Sequence, residues 1–342
     1  MNTKGKILKY LQGRQTVTGK ELSEFLGISR QAVNKYLKEL IQNNKIVKEG
    51  ITKGAVYRAS RTKRKVRPVK RFQKTYILSA LEEDKVFLDL APLLNFKQEL
   101  SKSAFRIVHY AFTEMLNNAI DHSESEKCFI EISIDPYRFN FRIRDFGIGV
   151  FNSIFTKFNL PDESSAIGEL LKGKTTTMKE RHTGEGIFFT SKSSDVFFLR
   201  SHKIKMIFDN KRKDVFVEEK KFIKGTEVAF NISRRSKRKL EKIFSYFAPE
   251  KFDYKFEKTR AFVKLFHQDY VSRSEAKRLL YGLDRFKEII LDFKGVKSIG
   301  QGFADEIFRV FKKEYPDKVI KTDNLSPVLK QIINHVVDNN IK

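Results

Sequence analysis

The sequence predicts a multidomain α+β protein, and three observations carry that prediction. Residues 1–58 read as three short helices and a hairpin. Residues 72–232 set one long amphipathic helix ahead of a series of alternating strands. Residues 254–342 alternate strand with helix, the pattern of a small sheet covered by helices. At 342 residues the chain is long enough for two or three domains with cores of their own.

The N-terminal elements follow from local chemistry. Ile7, Leu8 and Leu11 share one side of a first helix. Thr18 is placed to cap a second, with Leu22, Phe25 and Leu26 inward, and Gly27 permits a sharp turn after it. Ser29 caps a third helix whose Val33, Leu37, Leu40 and Ile41 face the core. Ile46 to Lys48 and Ala55 to Arg58 form a two-stranded wing around the turn from Gly50 to Gly54. This order, with the stretch SEFLGISRQAVNKYLKELIQNNKI, resembles a winged helix-turn-helix domain over residues 1–60. The resemblance implies double-stranded DNA as a partner, with Ser29, Arg30, Gln31, Asn34, Lys35 and Lys38 facing outward on the helix that enters the major groove. Arg30 and Gln31 suit base edges, and Lys35 and Lys38 suit phosphates. Residues 61–71 are mostly basic, contain Pro68, and read as a linker able to lie along a phosphate backbone.

Charge points the same way. The net charge is +26, which favours a polyanionic partner, although a Lys-rich, Trp-free composition also arises from codon bias. The single cysteine, Cys128, excludes an intramolecular disulfide and a Cys-rich zinc site, and the six histidines show no metal-binding spacing. No apolar run approaches a membrane span, and the N-terminus is too polar for a signal peptide, so a cytoplasmic protein is expected.

The central region is organised around Phe112 to His122. At about 100° per residue, Phe105, Val108, Phe112, Met115 and Ala119 form one apolar stripe. Glu114, Asn118 and Asp121 share the opposite face. A solvated helix surface has this pattern, and so does a metal–phosphate site. There an amide oxygen ligates Mg²⁺ without adding charge, and a carboxylate one turn away orients or deprotonates a water. Upstream, Tyr76 to Ala80 and Val86 to Leu90 read as short extended or mixed segments. Downstream, Cys128 to Ile134 and Phe139 to Arg144 form a hairpin that ends in Asp145-Phe146-Gly147-Ile148-Gly149. The glycines let backbone approach a flat ligand, and the carboxylate beside them can accept from an exocyclic amino group. Val150 to Thr183, with Lys174 and Thr175, reads as a mobile, basic, hydroxyl-rich cover. Gly184-Glu185-Gly186 opens a helix whose bare N–H groups suit phosphate. Strands follow, the last starting at Thr226 after the turn Lys224-Gly225.

Taken together, E-x-x-x-N on a helix, D-x-G-x-G, a cover, G-x-G and a G-T strand resemble the GHKL ATPases over about residues 95–232. That group holds gyrase-type ATPases, histidine kinases and anti-sigma serine kinases. The resemblance implies a Bergerat-type α/β sandwich over residues 72–232, a helix layer on a mixed sheet, with ATP and Mg²⁺ as cofactors. It implies Glu114 as general base, Asn118 as Mg²⁺ ligand and Asp145 as acceptor of the adenine amino group, with Thr226 holding a nearby water. Gly147 and Gly149 would border the adenine pocket, while Gly184 and Gly186 would bind phosphates. Asp121 on the polar wall and Lys174 and Thr175 in the cover complete the nucleotide site.

Residues 233–253 read as a connector helix with Leu240, Ile243, Phe244 and Phe247 on one face. In residues 254–342 the stretch EIILDFKGVKSIGQGFADEIFRVF resembles STAS-like domains, which implies a role in docking a protein partner. The whole reads as a transcriptional regulator, expected as a homodimer away from membranes, in which an ATP hydrolase unit controls how a DNA-reading domain is presented. The alternative is an anti-sigma-type serine/threonine protein kinase acting on a STAS partner. An ATP-driven mover of DNA is a third reading.

Overall fold

A computed structural model describes residues 3–12, 14, 16–43, 45–50, 55–60, 69–160, 165–173, 185–253, 255–265 and 270–338. The chain divides into two compact units, Met1–Pro68 and Val69–Lys342. In the first, α1 (Thr3–Gln12), β1 (Val17–Thr18), α2 (Gly19–Leu26), α3 (Arg30–Gln42), β2 (Ile46–Glu49) and β3 (Val56–Ala59) follow one another. Thr18 and Glu21 form a reciprocal capping box at the start of α2. Gly27 ends α2 in the left-handed region at φ 63°, and the Ser29 hydroxyl accepts from Ala32 N at 3.2 Å to start α3. Ile7, Leu11, Leu22, Val33, Leu37 and Leu40 close the core against Ile46 and Tyr57 of the wing. The short strand β1 pairs with β3 and adds a third strand to the expected hairpin, in the order β1-β3-β2.

In the second unit β4 (Lys70–Ile77), α4 (Glu83–Leu93), α5 (Phe96–Glu99), α6 (Lys102–His122), β5 (Lys127–Ile134), β6 (Arg138–Asp145), α7 (Val150–Lys157), α8 (Ser165–Lys172) and α9 (Gly186–Ser193) come first. β7 (Val196–Ser201), β8 (Ile204–Asp209), β9 (Asp214–Glu219), β10 (Thr226–Ser233) and α10 (Leu240–Phe247) follow. The strands make one seven-stranded sheet ordered β4-β5-β6-β10-β7-β8-β9. Every pairing in it is antiparallel, which corrects the expected mixed sheet. Inward residues alternate with outward ones along β5 and β6, so Ile130, Ile132, Phe139 and Phe141 lie under the apolar stripe of α6.

Two further expectations are corrected. β4 starts at Lys70, inside the stretch assigned to the linker, because β5 offers an edge that pairs all the way from Ile77 back to Lys70. Val86 to Leu90 is helical, since Val86, Phe87 and Leu90 form one buried face and Glu83 and Asp84 favour a helix start.

The last elements are β11 (Lys258–Phe262), α11 (Arg273–Leu280), β12 (Glu288–Asp292), α12 (Gln301–Asp305), a π-helical turn (Glu306–Val310), α13 (Phe311–Glu314), β13 (Val319–Asp323) and α14 (Pro327–Asp338). The three strands are parallel in the order β11-β12-β13. Their core is continuous with Phe188 and Phe189 of α9, through Phe247 of α10 and Phe256. The C-terminal sheet therefore shares its core with α9 and α10 within the second unit.

Candidate functional site

On α3 the apolar positions Val33, Leu37 and Leu40 are buried, so the helix turns its remaining positions to solvent. Ser29, Arg30, Gln31, Asn34, Lys35 and Lys38 are all exposed. These six make one exposed polar face, which is what contact with a nucleic-acid groove requires.

The second candidate lies along α6. Its stripe Ala104, Ile107, Val108, Ala111, Phe112, Met115 and Ala119 is buried, and Glu114, Asn118 and Asp121 come out half-buried on the other side. Two groups of residues close on this face at different heights. At the C-terminal end, Ile148 N donates to Ser123 O at 2.8 Å and Phe146 N donates to Ser125 Oγ at 3.1 Å. A Cβ on Gly147 would stand 1.7 Å from the Ser123 carbonyl oxygen, so only glycine permits this approach.

Asp145 sits at that end, 5% exposed. Its Oδ1 accepts from Gly147 N at 3.1 Å and Thr226 N at 3.0 Å. Both of these bonds fall on one oxygen of the carboxylate. Burial pushes the Asp145 carboxyl above its ordinary range, against the pull of the backbone N–H groups of Gly147, Thr226 and Asp145 itself and of Arg144. Gly225, at φ +79°, fits against Asp145 because a Cβ there would meet its backbone oxygen at 2.4 Å. The Thr226 hydroxyl accepts from Val150 N at 2.9 Å, so it braces the start of α7 and still has its proton and one lone pair to offer elsewhere. Gly149 also has positive φ, +83°, with the Ser201 hydroxyl and His202 ring beside it. Cys128 pairs across from Asp145, and burial followed by that carboxylate pushes its thiol up to about 12.

About 13 Å toward the N-terminus of α6, nine residues before Ser123, stands Glu114. A Cβ on Gly186 would lie 2.2 Å from Glu114 Oε2, so the first residue of α9 faces this carboxylate directly. The N-terminal N–H groups of α9 thus open beside Glu114. At the far end of α9, Arg238 donates to the carbonyls of Ser193 and Ser194, which complements the negative end of the helix. Between the two levels lies Asn118, whose Nδ2 is buried without a hydrogen-bond partner among the described residues. Such a group costs free energy unless a ligand or water satisfies it.

The structure thus gathers Asp145, Gly147 and Thr226 at one end of the α6 face and Glu114 and Gly186 at the other. Lys174, Thr175 and Gly184 lie outside the described residues. Sequence reasoning missed Tyr110, one turn before Glu114. Its burial raises the phenol pKa, with further contributions from Glu114 and Glu185, so it stands near Glu114 as a neutral donor. Its i, i+4 spacing from Glu114 was the available signal. Sequence reasoning also missed that Arg234, in the basic run after β10, is buried and bonds Glu99, which makes it structural.

Comparison with known families matches two parts of the chain. Residues 2–47 match a family described as winged helix-turn-helix DNA-binding. Residues 275–330 match a family described as a STAS-like domain of unknown function (DUF4325). The chain therefore carries an N-terminal winged helix-turn-helix domain and a C-terminal STAS-like domain, and the DNA-binding domain indicates a transcriptional regulator. No curated protein matches the chain. Among the described residues, no helix is long and apolar enough to cross a membrane.

Proposed function

We propose that residues 69–232 form a GHKL-type nucleotide-binding unit, that it takes ATP with Mg²⁺, and that its nucleotide state controls DNA binding by the winged helix. One observation carries this reading. The half-buried face of α6 has an acceptor carboxylate and close-fitting glycines at one end, and a helix N-terminus beside a second carboxylate at the other. An adenine ring suits the first end, where the Asp145 carboxylate would accept from an amino group. Phosphates suit the second, where α9 presents its N–H groups.

The unsatisfied amide of Asn118, between them, fits the role of metal ligand. A half-turn of the amide exchanges its nitrogen and oxygen, so Oδ1 can face the groove. Among the described residues no group of three or more His, Cys, Asp or Glu converges as a metal site. A Mg²⁺ beside Asn118 would thus take its other ligands from phosphates and water, and its chemistry there would be to neutralise phosphate charge. Glu114, beside the start of α9, would orient or deprotonate a water there, and Asp121 lies on the same face of α6.

Calorimetry with ATP and Mg²⁺ tests the reading. The wild type should bind ATP, and Asp145→Asn should lose about tenfold to a hundredfold in affinity, because an amide presents a donor where the adenine also donates. A wild type with no affinity for ATP or ADP would reject it. The kinase alternative acts on a separate STAS partner, and Ser298, exposed but displaced from the turn Gly300-Gln301-Gly302, serves only as a check for transfer to the chain itself. Label from γ-phosphate-labelled ATP retained on the protein, and lost in Ser298→Ala, would favour that reading.

A further inference from the structure

α8 is held by the STAS-like domain at its C-terminal end. Lys172 is 1% exposed, and its ammonium bonds Glu169 Oε1 at 3.0 Å and the Tyr281 carbonyl. Glu169 Oε2 accepts from Arg285 at 2.6 Å, and the Lys172 carbonyl accepts from the Thr259 hydroxyl at 2.5 Å. These contacts satisfy both oxygens of Glu169. They also form one wall of a cavity of about 530 Å³ between α8, α11 and the π-helical turn.

The rest of the lining has a different character. Phe158, Tyr281, Phe311 and Tyr315 supply aromatic surface. Asp284, Glu306 and Glu314 supply carboxylates, while Lys277 and Arg285 are its cations. Arg285 is already committed to Glu169 and to the Gly282 carbonyl. Glu314, and Asp284 more weakly, hold the Tyr315 phenol above its usual range, so these carboxylates crowd one side. Glu306 is the informative group. It is 6% exposed, its carboxylate makes no hydrogen bond among the described residues, and its one ion pair, to Lys277, is long at 3.9 Å and reaches a side chain mostly in solvent. It opens the π-helical turn Glu306–Val310, a local widening that interrupts the helix from Gln301 to Glu314. A buried carboxylate without hydrogen bonds, inside an aromatic-lined cavity, in a chain of net charge +26, selects for a cation.

We propose that this cavity is a binding site for a small organic cation, an amine or guanidinium with an apolar body, received by Glu306 and the aromatic lining. The site lies at the seam where the STAS-like domain grips α8, which packs on α9. A role as signal input to the α9 end of the groove rests on the nucleotide reading above. Binding of the cation does not.

The test is thermal unfolding of the full chain, without nucleotide, against spermidine, agmatine and choline at matched ionic strength, with citrate as an anionic control. At least one cation should raise the midpoint saturably, and citrate should not. Glu306→Gln should weaken that cation about tenfold or more. Lys277→Ala, a change at an exposed side chain, should tighten it, because the competing ammonium is gone. No saturable shift with any of the three cations, an unchanged affinity in Glu306→Gln, or weakening in Lys277→Ala would overturn the proposal. ATP calorimetry on the same preparation separates this failure from failure of the nucleotide reading.

Discussion

The polar faces of α3 and α6 are built on the same plan, a buried apolar stripe with polar residues opposite, yet they end at different depths. On α3 the six outward residues are exposed. On α6 Glu114, Asn118 and Asp121 are half-buried, with Gly186 against one end and Gly147 against the other. An exposed polar face can meet a large, flat, charged partner such as a duplex. A polar face enclosed by glycines from other segments has room for a small ligand at most, and its groups are partly desolvated. Depth, more than residue type, separates the two sites.

The comparison breaks most readily at Gly147. Gly147→Ala forces the Asp145 turn away from α6, since its Cβ would collide with the Ser123 carbonyl. It should destabilise unit two by about 3 kcal/mol and leave DNA binding by the N-terminal unit intact. Denaturant melts that match the wild type would show that the groove is not closed as described. A smaller effect is expected on α3. Arg30→Ala should relax base discrimination by about tenfold, whereas Lys35→Ala should weaken all duplexes alike and lower the salt slope by about 1. Mobility shifts in which both variants lose the same specificity would merge the two roles.

The third test extends the comparison to a fully buried charge. Glu288 is 2% exposed, and its carboxyl would be raised by burial, but the ammoniums of Lys251, Lys258 and Lys321 outweigh that and hold it at about 2. A depressed carboxyl stabilises the fold above its unfolded value of 4.5, and this contribution is lost as pH falls from there toward about 2. Glu288→Gln should therefore lower the melting midpoint near neutrality and show a flatter decline through that acid window. Parallel curves for the two proteins would contradict it.

Much of this was legible in the sequence where local chemistry is enough. Thr18, Gly27 and Ser29 mark helix ends by their own hydrogen bonds and dihedral angles, and the α6 stripe follows from period alone. What was not legible depends on partners distant in sequence. The helix at Val86 to Leu90 is decided by burial against α6, and the start of β4 by the edge that β5 offers. In the sequence Lys172 reads as part of the basic cover, and Glu306 as a carboxylate that favours the positive end of a helix. Only the packing of α8 against the STAS-like domain makes one a buried anchor and the other a carboxylate facing a cavity. The approach of Gly186 to Glu114 joins residues 72 positions apart, and no local signal carries it.

The central claim is that the α6 groove sets the state of the α3 face. Glu114→Ala should cut ATP turnover by about 10²–10⁴-fold while leaving the nucleotide bound, because Asp145 and the glycines are untouched. The deciding measurement is duplex affinity followed over time after ATP addition, for wild type and Glu114→Ala side by side. The account predicts that the nucleotide-dependent affinity decays in the wild type as ATP is consumed and persists in the variant. Identical curves that do not respond to nucleotide would contradict it.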